Sequence, residues 1–284
     1  MIENIIFLAP PVAACIISAG ILGYYGNHIL TRGIIFIDIA VAQIAALGTM
    51  IGLLIGYQEQ SMHVQLISYG FTILVLILFS LIRTRKQSLP QEAIIGIFYC
   101  IALGMALLLA EKIPGGSNFI TKTITGNILW VTWGKVLHCT IMFAVIGIVL
   151  FIFRKRIRGR SLAANQQDGA INSEKWPDLV FYVTFGIVIV NTVPVQGIFL
   201  VFILLIAPAA IAGLFKLSWQ NRIIWSWVIG AAGSILGIYL SYTLNISNGP
   251  AIVCILGTSV LIIAFLKLFI RKKYIRKSDL NLEK

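Results

Sequence analysis

The chain has 284 residues and a net charge of +12, with 59% of its residues hydrophobic and only 11% charged. Soluble domains average roughly 45–50% apolar and about 25% charged residues, so this composition excludes an ordinary soluble domain. Many apolar runs approach about 20 residues, the length that crosses a hydrocarbon core as an α-helix. Because the runs are continuously apolar and do not alternate, they predict an all-α, polytopic membrane protein and exclude a β-barrel.

Nine membrane-spanning helices are predicted within a single transmembrane domain, residues 1–284. In chain order they are Ile6–Tyr24, Ile34–Gly56, Val64–Ile82, Ala93–Ala110, Val136–Phe153, Leu179–Val193, Gly197–Phe215, Ile223–Leu244 and Ala251–Phe269. The stretch Ile120–Trp133 is shorter and semi-polar, which indicates a re-entrant or interfacial helix unless it also crosses. Its tryptophans, Trp130 and Trp133, suit an interfacial aromatic belt.

The basic residues predict the orientation of these spans. With the N-terminus outside, only Lys112, Lys122 and Lys135 of the 22 lysines and arginines fall on outer segments. The positive-inside rule then predicts a cytoplasmic C-terminus, a large cytoplasmic connection at 154–177 and a basic cytoplasmic tail at 270–284. Since the positive charge flanks spans, it indicates contact with the lipid bilayer, and no nucleic-acid partner is expected.

The ends and the cysteines add two expectations. Glu3 stands where a secretory signal would be basic, so no cleavable signal peptide is expected. The four cysteines lie singly in predicted spans without CxxC spacing, which predicts buried free thiols and no zinc site.

Asp38 and Gln43 are the candidate ligands of a cation path. Asp38 is the only acidic residue well inside a predicted span, and polar groups at membrane depth mark functional sites by default. For Asp38, a structural role as a partner of Arg32 or at a helix end is an equal alternative. Five helical positions separate the two side chains by about 140° around the axis, so the pair does not predict a chelate on one helix.

Histidines and prolines complete the polar and irregular positions. His28 is expected in the first inside loop, His63 in an outer loop and His138 near the outer end of the fifth span, and no HExxH motif occurs. Pro10-Pro11 is expected to bend or delay the first span. Pro208 is expected to break the seventh span. In transporters, helix breaks of this kind can line a cavity.

Four stretches, spread over most of the chain, carry a family resemblance. They are RGIIFIDIAVAQIAALG in the second span, LPQEAIIGIFYCIALGMALLLAE around the fourth, ITGNILWVTW before the fifth, and VPVQGIFLVFILLIAPAAIAGLF followed by GSILGIYLSYTLNISNGPAIV. In this order they resemble the permease subunit of the ABC-type zinc/manganese/iron importers for divalent metals.

The resemblance implies the fold of the vitamin-B12 (type II) importers and a permease dimer in a bacterial plasma membrane. It also implies cytoplasmic ABC ATPase subunits and an extracellular or periplasmic solute-binding protein that delivers zinc, manganese or iron as cargo. ATP is then hydrolysed on the partner subunit, and the chain itself is not expected to be an enzyme. In agreement, the sequence has no GxxxxGK[ST] phosphate loop.

The resemblance also assigns coupling to the ATPase to one cytoplasmic segment, Ser161–Gly169. Its candidate residues are Ser161, Leu162, Asn165, Gln166, Gln167, Asp168 and Gly169.

The second span departs from the family pattern. The family's aspartate and histidine, four residues apart, align with Ile39 and Gln43, and Asp38 falls where the family has glycine. A glutamine carbonyl is a harder, weaker ligand than imidazole, so a permease for a metal chelate or another small solute is the alternative. A secondary transporter working without an ATPase, and an intramembrane enzyme, are alternatives from other classes. The enzyme would need a nucleophile–base or metal constellation, and only Asp38 and scattered hydroxyls are present at membrane depth.

Overall fold

The computed structural model describes residues 2–82, 90–164, 176–215 and 217–282, and these ranges contain helices, turns and loops without a strand. Ten α-helices follow one another, with a 3₁₀ turn at Ile128–Trp130 between the fifth and sixth. They are α1 Ile2–Arg32, α2 Ile37–Leu54, α3 Met62–Ile82, α4 Gln91–Ala110, α5 Gly116–Thr125, α6 Trp133–Ala164, α7 Trp176–Gln196, α8 Ile198–Leu214, α9 Trp219–Leu244 and α10 Asn248–Leu282.

Each of the nine predicted spans coincides with one apolar helix of the described ranges, and the predicted all-helical membrane fold is confirmed. Eight of these helices are long and apolar enough to cross a membrane, and α8 is a shorter apolar helix of 17 residues. The remaining helix, α5, has ten residues and measures about 15 Å, too short to cross. The stretch Ile120–Trp133 therefore does not cross, because it consists of the end of α5, the 3₁₀ turn and the first residue of α6.

Several helices extend beyond their predicted spans. Helix α6 continues from the predicted end at Phe153 to Ala164, and α10 continues from Phe269 to Leu282. Lysine and arginine are good helix formers, so a helix that leaves the apolar region need not end where the basic residues begin.

The predicted break at Pro208 is wrong, because α8 continues through this proline. The expected delay of the first span at Pro10-Pro11 is also wrong, because α1 begins at Ile2 and includes both prolines. A proline removes one backbone hydrogen bond, and a membrane helix tolerates this where neighbouring helices surround the site. Pro208 is buried against α9. A Cβ atom on Gly230 of α9 would lie 3.4 Å from Pro208 Cγ and 2.9 Å from Ala19 Cβ, so α1, α8 and α9 meet closely here.

The cysteines are free as predicted, but their predicted burial holds only in part. Cys15 is fully buried, Cys139 is half-buried, and Cys100 and Cys254 lie on exposed helix faces. These exposed faces belong to outer helices, where a small apolar thiol can contact lipid as well as protein.

Helix α2 is the enclosed element of the bundle and α10 an outer one. In α2, 72% of the residues of the apolar window are buried, against 11% in α10. Helix α2 packs against α3 and α4, and also contacts α5, α7 and α8. A buried polar side chain on α2 is therefore surrounded by protein, whereas residues 248–269 of α10 present most of their side chains outward.

Glycines set the closest helix contacts, as is common where apolar helices pack in lipid. We expect Gly26→Ala to destabilise the protein by about 1–3 kcal/mol, because its Cβ would lie 1.9 Å from the carbonyl oxygen of Leu205 and α8 would have to move. Gly20→Ala in the same helix is the control, since its Cβ meets nothing within 4 Å. Thermal unfolding in detergent measures both, and equal unfolding temperatures would contradict this packing.

Candidate functional site

Asp38 lies in the first turn of α2. The sequence predicted a position well inside the span, and this prediction is wrong. The correction arises because residues 33–36 form a turn between α1 and α2, in which Gly33 has a positive φ of 68°. The sequence does not reveal this turn, since its residues are as apolar as those of the helix that follows. A carboxylate in the first turn of a helix is favoured by the helix dipole.

The Asp38 side chain is enclosed without full hydrogen bonding. Asp38 is 2% exposed, and its Oδ1 has no hydrogen-bond partner among the residues that the structure describes. Arg32, the partner that the sequence suggested, donates from Nη1 to Asp178 at 2.9 Å. A buried carboxylate oxygen without a donor is costly, and a polar group that is retained at such a cost is a candidate for a functional role.

Gln43 lies further along α2, where it is 6% exposed and faces α4 and α5. It borders a cavity of about 10 Å³, which has room for about one water molecule. Asp38 does not border this cavity, as the angular separation of the two residues predicts. The other residues that line it are Ala46, Met50, Ala106, Phe119, Ile120, Thr123 and Ile124.

Helix α5, which covers Gln43, is held in place by a contact between two glycine backbones. A Cβ on Gly126 would lie 2.2 Å from the carbonyl carbon of Gln196, and one on Gly197 would lie 2.4 Å from the nitrogen of Gly126. Next to this contact, the Asn127 N–H donates to the carbonyl of Val195 at 3.0 Å. Only glycine permits backbones this close, so the end of α5 is fixed to the link between α7 and α8.

A second polar site, which we call the Asp178 cluster, consists of His28, Arg32, Arg160, Ser161 and Asp178. Asp178 Oδ1 accepts from Arg32 at 2.9 Å, and its Oδ2 accepts from Nη2 and Nε of Arg160 at 2.5 and 3.0 Å. The hydroxyl of Ser161 lies 2.8 Å from Arg32 Nε and 2.8 Å from His28 Nδ1. This site joins α1, α6 and α7.

Sequence reasoning missed this cluster and misplaced one of its members. His28 was expected in a loop, but it lies inside α1 and is fully buried, because α1 continues to Arg32. Its ring packs against the rings of Tyr24, Phe181 and Trp219. The one signal in the sequence was an aspartate placed just before an apolar run.

The predicted coupling residues are only partly within the described ranges. Ser161 is completely buried in the last turn of α6, so its side chain belongs to the Asp178 cluster and not to an outer surface. Leu162 is 42% exposed. The remaining candidates, Asn165, Gln166, Gln167, Asp168 and Gly169, lie outside the described residues.

The other histidines lie apart from both sites. His63 lies in the first turn of α3 and stacks on Tyr57 at 4.8 Å between ring centroids, and His138 lies in α6. Across the described part of the chain, no group of three or more His, Cys, Asp or Glu side chains is placed to hold a metal ion.

Comparisons with known proteins identify the family and the fold of the chain. Residues 4–267 match the ABC 3 transport family. The chain is 27% identical to the manganese transport system membrane protein MntC of Listeria monocytogenes over 88% of this chain and 87% of that protein. It is 25% identical to the manganese import system permease protein ScaB of Streptococcus gordonii over 87% and 86%. The solved structure of PsaBC from Streptococcus pneumoniae in complex with Fab has the same fold, with a TM-score of 0.71, 23% identity and coverage of 93% of this chain and 95% of that one.

The two glycines that border α5 give a matched test of its docking. Both Gly115 and Gly126 have positive φ, 78° and 73°, so alanine is strained at either position. At Gly126 the new Cβ would also enter the backbone of Gln196, whereas at Gly115 it meets nothing within 4 Å. We expect Gly126→Ala to lower the thermal stability in detergent more than Gly115→Ala, by about 1–3 kcal/mol. Equal losses would show that the glycine contact does not hold α5.

Proposed function

Because the chain belongs to the ABC 3 transport family, we propose that it is the membrane-spanning permease of an ATP-driven importer for divalent transition metal ions, zinc, manganese or iron. The observation that carries the proposal is the family match along residues 4–267, together with relatives of similar length that are named for manganese transport. The ion moves inward by alternating access through the bundle.

The enclosed helix α2 supplies the path for the ion. Its buried polar residues, Asp38 and Gln43, both offer oxygen ligands, one from a carboxylate and one from an amide. Carboxylate and carbonyl oxygens suit manganese better than they suit zinc, which favours imidazole and thiolate. The departure from the family's histidine at Gln43 therefore supports manganese among the three metals.

The partners follow from the chemistry that the chain lacks. Its sequence has no phosphate-binding loop, so ATP is hydrolysed on separate cytoplasmic ABC subunits. The end of α6, with Leu162 exposed, and the following residues 165–169 contact these subunits. A second permease subunit completes the translocation path, and a solute-binding protein delivers the ion on the outer face of a bacterial plasma membrane. The N-terminus is outside and the basic C-terminal tail is cytoplasmic.

A permease for a metal chelate is the second candidate function, and Gln43 is the observation that favours it. A weak amide ligand in the enclosed helix suits a cargo whose metal already has its own ligands. Uptake of free manganese by the reconstituted transporter, without a chelator, would decide against this candidate.

Asp38 gives the most direct test of the path. We expect Asp38→Asn to lower uptake of radioactive manganese by at least about tenfold in proteoliposomes that contain the permease with its ATPase subunits, because the buried anionic ligand is lost. Glu111→Gln makes the same chemical change on an exposed side chain after α4 and leaves uptake unchanged. Wild-type uptake by Asp38→Asn would contradict a role for Asp38 in the path.

Gln43 is tested by two substitutions of opposite character. If Gln43 is a ligand, Gln43→His shifts the selectivity towards zinc, because imidazole suits zinc better, and Gln43→Ala lowers uptake. Competition between zinc and radioactive manganese in the same vesicles measures the shift. Unchanged selectivity and rate in both variants would exclude Gln43 as a ligand.

A further inference from the structure

The Asp178 cluster connects the helices of the path to the helices that lead to the ATPase contact. Arg32 is the last residue of α1, and only residues 33–36 separate it from α2, which carries Asp38 and Gln43. Arg160 lies in the last turns of α6, and Asp178 lies in the first turn of α7. Helices α6 and α7 are the two that border residues 165–175. One carboxylate therefore binds three helix ends together.

The hydrogen bonds of the cluster are charge-assisted and directional, so they favour one arrangement of its side chains. The guanidinium of Arg32 lies 4.0 Å from the centroid of the Phe181 ring, which fixes its plane while Nε and Nη1 donate to Ser161 and Asp178. Ser161 donates its one proton to the carbonyl of Ile157 at 3.1 Å. Its oxygen accepts from Arg32, and His28 Nδ1, which lies 2.8 Å away, must then carry a hydrogen and donate as well.

The burial of these charges indicates a function beyond packing. The side chains of Arg32 and Asp178 are 0% and 1% exposed, and Arg160 is 11% exposed. Removing ions from water is expensive, and apolar side chains of similar volume often hold helices together at least as well. What a buried ion pair adds is one defined arrangement of its elements, so that a displacement of one helix end displaces the others.

We propose that the Asp178 cluster is the link that transmits movement of α6 and α7, driven by the ATPase, to Arg32 and so to the beginning of α2. Asp178, Arg160 and Arg32 are positioning residues in this account, since they contact neither the ion nor ATP. The inference rests on the proposed function, because it assigns a role within the same ATP-driven transport.

The test measures two rates in the same vesicles. The permease is reconstituted with its ATPase subunits, and manganese uptake and ATP hydrolysis are both recorded for Asp178→Asn and Arg160→Gln. We expect each complex to co-purify and hydrolyse ATP, while the number of ions imported per ATP hydrolysed falls about tenfold, within the roughly 5–150-fold range of coupling between sites. Arg154→Gln is the control: the same substitution on an exposed arginine of α6, which contacts Phe151, leaves the ratio unchanged.

The outcomes distinguish a role of the cluster in transmitting movement from a purely structural role. A proportional fall in uptake and hydrolysis, with the ratio unchanged, would overturn the proposal. So would failure of both variants to assemble with the ATPase, since the cluster would then be a folding element. If the wild-type complex hydrolyses ATP but imports no metal, the proposed cargo fails, and this result is distinct from a loss of ratio in the variants.

Discussion

A charged group that is buried in protein has lost its contact with water, and this constraint distinguishes Asp38 from Asp178, two buried carboxylates in the described part of the chain. Asp178 accepts three hydrogen bonds from two arginines. Asp38 is equally buried, but its Oδ1 has no hydrogen-bond partner in the described part of the chain. A satisfied carboxylate holds structure together, whereas an unsatisfied one is retained at a cost. The same physical rule therefore supports the proposed positioning role of Asp178 and the proposed cargo role of Asp38.

Close backbone packing positions the helices around both proposed sites. Apolar helices gain no hydrophobic stabilisation from one another in lipid, so they associate where small residues let backbones approach. Gly26 brings α1 against the carbonyl of Leu205 in α8, and Gly126 and Gly197 bring the end of α5 against the α7–α8 link. The first contact positions α1, which ends in Arg32, and the second holds the cover over Gln43.

The spans can be predicted from the sequence because a hydrophobic run of about 20 residues matches the thickness of the hydrocarbon core as an α-helix. It predicts less about turns that are themselves apolar. The turn at 33–36 separates two helices within a continuous hydrophobic stretch, so Asp38 appears deeper in the span than it is. At Pro208 the local rule predicted a break, but the surrounding helices keep α8 continuous.

The Asp178 cluster is harder to predict, because Arg32 and Asp178 are 146 residues apart. Their pairing depends on how α1, α6 and α7 pack, which no local pattern encodes. The candidates Asp38 and Gln43 were found because polar residues stand out in an apolar span, and the same signal is absent at a helix end, where charge is common. The pairing of distant residues at helix ends is therefore the part of such a site that a single sequence does not predict.

The most direct measurement of the central claim is elemental analysis of cells with and without this gene, grown under metal limitation. The account predicts a selective loss of cellular manganese, zinc or iron that the wild-type gene restores and the Asp38→Asn gene does not. Unchanged metal contents, from a protein that still co-purifies with an ABC ATPase, would contradict free metal ions as the cargo.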